Sequence, residues 1–296
     1  MVFHQAQGVT HVREILMEFP QTIVFWDVDH KKAGSDTDPL SAKAVGLTLL
    51  REIAPDRVFA ISDVPLNRMA YLLNMPAFGH HIYRNYEGPA AEICSRLAMA
   101  CIAQDPFSSE RYLPEGSKFQ KIWLKNSDQK GAAIEAVSNV FNRLGMPPRL
   151  GTMATQGADE LLMNAIFDAP VDEDGNYCQR MVERNHSILL VGRAQVELEI
   201  GIGDQYVMIS VSDLFGSIKK EVVQSLIRND YTKVSYRPRE SDPGAGLGIY
   251  GMIQSGLSLL FVCKPGSLTK VTIFVPRVHN FRSFRTGFRF CSFITR

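Results

Sequence analysis

Across residues 11–102, helical and extended hydrophobic patterns take turns, and that alternation restricts the fold more than any other feature of the chain. Residues 11–19 place Val12, Ile15, Leu16 and Phe19 at the spacing of one helix face. Residues 22–26 read as a buried strand. Residues 39–53 read as a helix with Leu40, Ala44, Leu47, Leu50 and Ile53 turned inward, followed by a strand over 57–61. Segments 66–73 and 81–86 continue the pattern, and 90–102 closes it with a helix. Strands that alternate with helices form βαβ units, so this half is predicted to be α/β with a mainly parallel sheet.

The alternation stops at residues 104–118, where Pro106, Ser108, Ser109, Pro114 and Gly116 interrupt both periodicities. A chain of 296 residues is long enough for about two domains. The expected organisation is therefore a first domain over 1–104, a linker over 105–117, a second domain over 118–277 and a basic, aromatic tail over 278–296. Beyond the linker the sequence predicts helices over 132–144 and 156–167, separated by a stop at Pro147-Pro148. Strands follow over 195–202 and 206–212, then a helix over 221–227, another over 250–256, and a hairpin of 258–263 with 270–275 turning at Pro265-Gly266. That second half is α+β, a mixed sheet faced by helices.

Charge and cysteine content exclude several classes of function. Lys plus Arg number 32 against 31 Asp plus Glu, a net charge of +1, so the chain as a whole offers a polyanion nothing. Five scattered cysteines without a C-x-x-C pair predict a reducing compartment rather than a disulfide framework. Residues 1–10 lack the basic start and apolar run of a secretory signal. The uncharged stretch 244–263 carries five glycines and Gln254 and reads as part of a soluble core rather than a membrane span. These features lead to an expectation of a cytoplasmic protein without a transmembrane segment, and of no nucleic-acid partner.

Three short patterns in the second half carry chemistry. In Glu160-Leu161-Leu162-Met163-Asn164-Ala165, positions i and i+4 share a helix face, so a carboxylate and an amide can address one site. The carboxylate can take a proton and the amide oxygen can hold Mg²⁺; alone, such a pair is equally a solvated helix face. Asp213 ends a β-rich run and is followed by Phe215, Gly216 and Ser217. An aspartate there can accept from an adenine amino group, or can serve only as a helix N-cap. In 242–250, Gly244, Gly246 and Gly248 alternate with other residues just before a helix, a spacing that lets backbone N–H groups converge on phosphate.

In this order the patterns resemble the ATP-binding domain shared by histidine kinases, gyrase and the anti-sigma-factor serine kinases, and the Glu-x-x-x-Asn-Ala form is most similar to the last group. The resemblance covers about residues 118–277 and implies a two-layer α+β sandwich of the histidine-kinase ATPase type, with ATP and Mg²⁺ as cofactors. It implies that Asn164 coordinates Mg²⁺, that Glu160 is a general base, and that Asp213 binds the adenine amino group. Gly216 would belong to the second box, Gly244, Gly246 and Gly248 would form the phosphate-side lid, and Thr269 would lie near adenine. The chain departs from the family pattern Asp-x-Gly-x-Gly at Phe215 and Ser217, and a phenylalanine there could narrow the adenine pocket.

In the first half, Asp27, Ser62 and Arg84 stand at the ends of successive predicted strands: an acid, a hydroxyl and a cation. They resemble a response-regulator receiver domain of flavodoxin-like fold, which implies Asp27 as phosphoacceptor. The pattern lacks the receiver's first strand and helix and the acidic pair that binds Mg²⁺, so a degenerate or truncated receiver used for docking is expected; the other reading makes Asp27 and Asp63 ordinary turn residues. His80-His81 reads as a loop-to-strand junction. The tail, where Arg282, Arg285, Arg289 and Arg296 are interleaved with Phe281, Phe284, Phe288, Phe290 and Phe293, could stack on nucleic acid, bind an anionic membrane surface or dock a partner, but such a segment is more often a packed or disordered extension.

The combined resemblance implies a signal-transduction protein of two-component type. Its kinase-like domain would phosphorylate a partner Ser or Thr, or switch partner binding with nucleotide. The partner would be anti-sigma-like or response-regulator-like, and homodimerisation is left open. The alternative is a non-catalytic adaptor acting through protein contacts.

Overall fold

The computed structural model describes residues 4–6, 9–29, 48, 51, 53–75, 78–84, 90–103, 105–184, 186–228 and 247–296. The helix expected over 39–53 lies almost wholly outside them. The first half contains α1 (Val9–Glu18), β1 (Val24–Asp27), β2 (Val58–Ser62), a short α2 (Ala70–Leu73), β3 (His80–Tyr83) and α3 (Ala90–Ile102). β1 pairs with β2 and β2 with β3, both parallel, in the registers Val24↔Val58 and Phe59↔His80. The alternation of periodicities does build a parallel sheet here, because strands separated by crossover segments return to the same edge in the same direction.

The second half contributes β4 (Lys118–Leu124), α4 (Lys130–Arg143), α5 (Pro148–Met163), β5 (Val196–Ile202), β6 (Tyr206–Asp213), α6 (Lys220–Arg228), α7 (Leu247–Ser255), β7 (Ser258–Lys264), β8 (Leu268–Pro276), α8 (Phe281–Arg285) and β9 (Arg289–Thr295). The class is α/β, and one mixed sheet of nine strands runs through both halves in the order β1-β2-β3-β9-β7-β8-β6-β5-β4. From β4 to β7 every neighbouring pair is antiparallel. Among the described residues no helix is long and apolar enough to cross a membrane, and all five cysteines are free.

Several sequence expectations are corrected. Pro147-Pro148 does not stop a helix. Pro148 begins α5, where its missing N–H leaves no lost hydrogen bond, so the helix expected from 156 starts eight residues earlier by number. β4 lacks strict alternation because it is an edge strand with both faces partly wet. The 105–117 segment is packed rather than loose: Tyr112 and Leu113 are buried and the Tyr112 hydroxyl donates to Pro106 O at 2.6 Å.

The segment read as a tail supplies β9, which lies between β3 (antiparallel) and β7 (parallel). Its phenylalanines are core residues: Phe284, Phe290 and Phe293 are buried, and Phe293 stacks on Phe261 with ring centroids 4.7 Å apart. The Arg- and Phe-rich segment is split between the helix α8, which carries Phe281, Arg282, Phe284 and Arg285, and the central strand β9, buried on both faces. Arg296 reaches Asp56 and the Cys101 carbonyl, and Arg289 Nη2 donates to Arg285 O at 2.8 Å, so a basic residue is tied into the fold at each end of β9.

α4, α5 and α7 cover one face of β4–β8. The closest approach is at Gly157, where a Cβ would lie 2.6 Å from Ile273 Cδ1 and 3.2 Å from Met252 Sδ. A side chain at that position would require the ends of Ile273 and Met252 to shift. On the opposite face, Tyr206, Met208, Leu260, Phe274 and Phe290 pack with Phe59, Ile82 and Leu97 from the first half and Tyr112 from the connecting segment. Removing one such buried side chain to Ala costs about 2–5 kcal/mol.

Candidate functional site

The cavity takes shape where α5 ends. The helix widens into a π-turn over Asn164–Asp168, closed by Ala169 N donating to Asn164 O at 2.8 Å. Single π-turns inside α-helices are common at functional sites because the extra residue per turn displaces side chains from the regular face. Here the turn brings Asn164, Ala165, Asp168 and Ala169 to the wall of a cavity of about 400 Å³. β6 ends at Asp213, directly opposite Thr269 of β8, and both residues line the same cavity. Leu161, Val211, Leu226, Ile249 and Val271 provide apolar walls. The volume is in the range of a small-molecule site.

Asp213 is buried, and burial pushes its pKa up to about 6. Opposing that, its Oδ1 accepts from the backbone N–H of Phe215 at 2.9 Å and of Gly216 at 3.3 Å. No helix starts directly after Asp213, so the helix N-cap alternative does not hold; its carboxylate instead holds the amides of the turn that follows. A carboxylate can accept about four hydrogen bonds, and the rest of its capacity borders the cavity. The Thr269 hydroxyl lies near it but is not aligned to bond with it, and it has no hydrogen-bond partner although buried. An unsatisfied hydroxyl and a buried carboxylate side by side are costly unless a ligand completes them.

The loop after Asp213 needs its glycine at 216. Gly216 has φ +59°, and a Cβ there would stand 2.2 Å from Lys264 O. Phe215 is buried but is absent from the cavity lining, and Arg193 sits over its ring at 5.0 Å. The anticipated narrowing by Phe215 therefore does not occur. Ser217 lines the cavity, and its hydroxyl donates to Ala169 O at 2.8 Å, joining this loop to the end of the π-turn.

Glu160 stands apart from the cavity. It is not among the lining residues; its side chain is bonded to that of Asn164 and lies against Gly248, where a Cβ would be 1.9 Å from Glu160 Cδ. Burial raises its pKa, Arg184 and the bond to Asn164 oppose the rise, and the Asp168 carboxylate adds to it. Glu160 and Asn164 stand one turn apart where α5 passes into the π-turn, close enough for Asn164 to lower the Glu160 pKa. Gly244 and Gly246 lie outside the described residues; Gly248 is the second residue of α7.

Asp168, Tyr177, Arg180, Lys219 and Glu221 also line the cavity and belong to no motif read above. Arg180 Nε donates to Asp168 Oδ1 at 3.3 Å, and its guanidinium lies 3.4 Å from the Tyr177 ring centroid. Asp168 could have been found from its spacing of four residues beyond Asn164, whereas Tyr177 and Arg180 come from an irregular segment with no periodicity to mark them.

The first-half constellation has a different character. Arg84 forms a two-pronged pair with Asp27, Nη1 to Oδ2 at 2.7 Å and Nη2 to Oδ1 at 3.1 Å, and its Nε donates to Asp63 Oδ1 at 3.0 Å. Asp29 lies 3.8 Å from the same guanidinium and accepts from Asp63 N at 2.6 Å. The bond to Asp27 is the chief reason the Arg84 pKa is raised, although burial works against it. The buried Ser62 hydroxyl accepts from Val64 N at 2.8 Å. His80 and His81 are residues of β3 itself rather than a junction; burial lowers their pKa values to about 3 and about 4, so both are neutral.

No family model matches the chain, and no curated protein matches it.

Proposed function

We propose that this chain is a signal-transduction protein whose second half binds ATP with Mg²⁺ in the cavity bounded by α5, β6, β8 and α7, and that nucleotide occupancy switches contact with a partner protein. One observation carries the reading: Asn164, Asp213 and Thr269, which come from three distant segments, line a single cavity. Their chemistry suits adenine. Its exocyclic amino group donates where Asp213 accepts, whereas guanine would set a carbonyl oxygen against the carboxylate, leaving a buried charge unpaired. The apolar walls suit the faces of a purine.

Mg²⁺ fits the donor set, because it commonly takes one or two protein oxygens with water and phosphate as its other ligands. Asn164, which lines the cavity, carries in Oδ1 the oxygen that would hold it. Bound there, the ion would neutralise phosphate charge. Around it the chain's own groups orient the base through Asp213 and Thr269 and exclude water with Leu161, Val211, Ile249 and Val271.

The architecture we assign to residues 118–277 is the two-layer histidine-kinase type of ATP-binding fold, supported by an antiparallel run of five strands covered on one face by α4, α5 and α7. For residues 1–104 we assign a receiver-like unit, supported by three parallel strands with Asp27, Ser62 and Arg84 at or just past their ends. Phosphoryl transfer to a partner Ser or Thr is the catalytic version of this reading, with Glu160 as base. Its support is the raised pKa and the bond to Asn164; it requires Glu160 to leave its contact with Gly248. The adaptor version is favoured by the Arg84 clamp, which occupies both oxygens of Asp27. The partner in either version is a signalling protein of anti-sigma or response-regulator type.

Titration calorimetry of the full chain with Mg-ATP tests the binding claim. Heat that disappears in Asp213→Asn or Asn164→Ala supports it, and a silent unmodified protein at millimolar ATP overturns it. The catalytic version predicts that Glu160→Ala abolishes transfer and leaves ATP affinity within a few-fold.

A further inference from the structure

The loop that orients Asp213 is braced from outside the cavity. Phe215 and Gly216 carry the two amides that the Asp213 carboxylate accepts from, and Gly266, in the turn between β7 and β8, donates its N–H to Gly216 O at 3.1 Å. Arg193 spans both pieces. It lies in the short turn Gly192–Ala194 ahead of β5, where its Nε donates to Leu214 O at 3.1 Å, its Nη2 donates to Gly266 O at 2.9 Å and its guanidinium lies over the Phe215 ring, 5.0 Å from the centroid. Arg193 is not among the residues lining the cavity.

We infer that Arg193 is the positioning residue of the adenine-binding carboxylate, an inference that rests on the ATP reading above. A rigid planar fork bonded to carbonyls of two segments sets their separation. One of these segments follows Asp213, and the other leads into β8 and Thr269, which stands directly opposite Asp213. Arg193 therefore holds both polar groups of the base end in register without touching the ligand. Its two bonds go to neutral carbonyls, and its charge acts on Asp213 against the effect of burial. The other groups facing Asp213 are the Thr269 hydroxyl and the Cys263 thiol of β7, the latter kept neutral by burial, which pushes its pKa up to about 11. Asp168, Arg180, Lys219 and Glu221 are the remaining charged residues of the cavity wall among the described residues.

The test measures adenosine and Mg-ATP binding to the full chain by calorimetry between about pH 5 and pH 8, for the unmodified protein and for Arg193→Ala, Arg193→Gln and Arg193→Lys, each checked by circular dichroism. Arg193→Ala is expected to weaken both ligands alike by about three- to tenfold above the pH midpoint, the size of one lost hydrogen bond. Binding needs the ionised carboxylate, so affinity falls as pH drops, and without the Arg193 charge that fall should begin about half a pH unit higher. Arg193→Gln should shift the midpoint as Arg193→Ala does. Arg193→Lys keeps the charge but not the fork, and should lose affinity with its midpoint close to that of the unmodified protein. Losses in all three variants with an unmoved midpoint would reduce Arg193 to loop packing and overturn the inference, as would unchanged affinity in Arg193→Ala above the midpoint. A loss for Mg-ATP with adenosine unaffected would overturn it too, by moving Arg193 to the phosphate end. An unmodified protein that binds neither compound overturns the nucleotide reading itself, and the role of Arg193 falls with it.

Discussion

Two aspartates end strands in this molecule, Asp27 on β1 and Asp213 on β6, and they are in opposite chemical situations. Asp27 is part exposed, and its carboxylate is occupied by the Arg84 guanidinium, with Asp29 and Asp63 crowding the same cation. Asp213 is buried, accepts from two backbone amides with Thr269 and the Arg193 charge nearby, and burial still pushes its pKa up to about 6. The same sequence signal, a β-rich run closed by aspartate, therefore yields a tightly ion-paired surface cluster in one half and a buried acceptor without a bonded cation in the other. At the second, burial outweighs the partners.

The largest expected effect sharpens that contrast. Asp213→Asn should lower ATP affinity by about a hundredfold, since an amide turned to accept from the two backbone N–H groups presents its own donors to the adenine amino group; calorimetry reads it directly. Asp27→Asn should leave ATP affinity within about twofold, and a larger change would break the separation of the two sites.

Next in size is Gly216→Ala. Backbone at φ +59° and a Cβ 2.2 Å from Lys264 O should cost about 2–4 kcal/mol, measured by urea unfolding. The equivalent glycine requirement is absent at Ser217, so Ser217→Ala should cost about 1 kcal/mol, the value of its bond to Ala169 O.

Stability against pH distinguishes the two aspartates further. A carboxyl whose folded pKa is raised from its ordinary value near 3.8 to about 6 stabilises the fold below the unfolded pKa and loses that contribution as pH rises through about 6. At pH 7 the ionised Asp213 is thus a burden of about 1–3 kcal/mol. Asp213→Asn should raise the unfolding midpoint at pH 7 and leave it nearly unchanged at pH 4, provided the amide keeps the Phe215 and Gly216 bonds. A variant less stable than the unmodified protein at pH 7 would contradict the unpaired-acceptor description. Gained stability with lost binding is the usual signature of a site that holds strained polar groups for a ligand.

The smallest effect is expected at the surface cluster. Arg84→Ala should cost about 1 kcal/mol, because ion pairs of part-exposed groups are weak, although three carboxylates left without their cation will add some repulsion. Incubation with acetyl phosphate should label Asp27 weakly or not at all in the unmodified protein. Strong labelling would show that Arg84 does not hold Asp27 and would erase the difference between the two sites.

Much of the local structure was legible before any coordinates. The β5, β6, β7 and β8 segments, the helices α1, α3, α4, α6 and α7 and the parallel order of β1–β3 follow from periodicity, which is a property of neighbouring residues. Asn164 and Asp213 stood out because each sits in a short pattern of chemically active types, Thr269 because of the family resemblance, and all three line one cavity. β4 and the packing of 105–117 were not, since an edge strand lacks clean alternation and Tyr112 is buried by contacts made far away in sequence. Arg180 was missed for the same reason: what makes it notable is Asp168 and Tyr177 beside it, not the residues along its own segment. The Arg- and Phe-rich end was legible as a packed extension but not as a strand, because no sequence window shows the two partners between which β9 lies.

What this sequence by itself determined is the alternation that makes α/β structure, the aspartate at each strand end and the helix that carries Glu160 and Asn164. Tertiary structure alone decided that β9 joins the two halves into one sheet, that Phe215 is not among the residues lining the cavity, and that one strand-end aspartate is bonded by a guanidinium while the other is bonded by backbone amides. The physical reason is range. Periodicity and turn chemistry are set by residues a few positions apart, whereas burial, desolvation and charge pairing depend on which distant segments arrive at the same place.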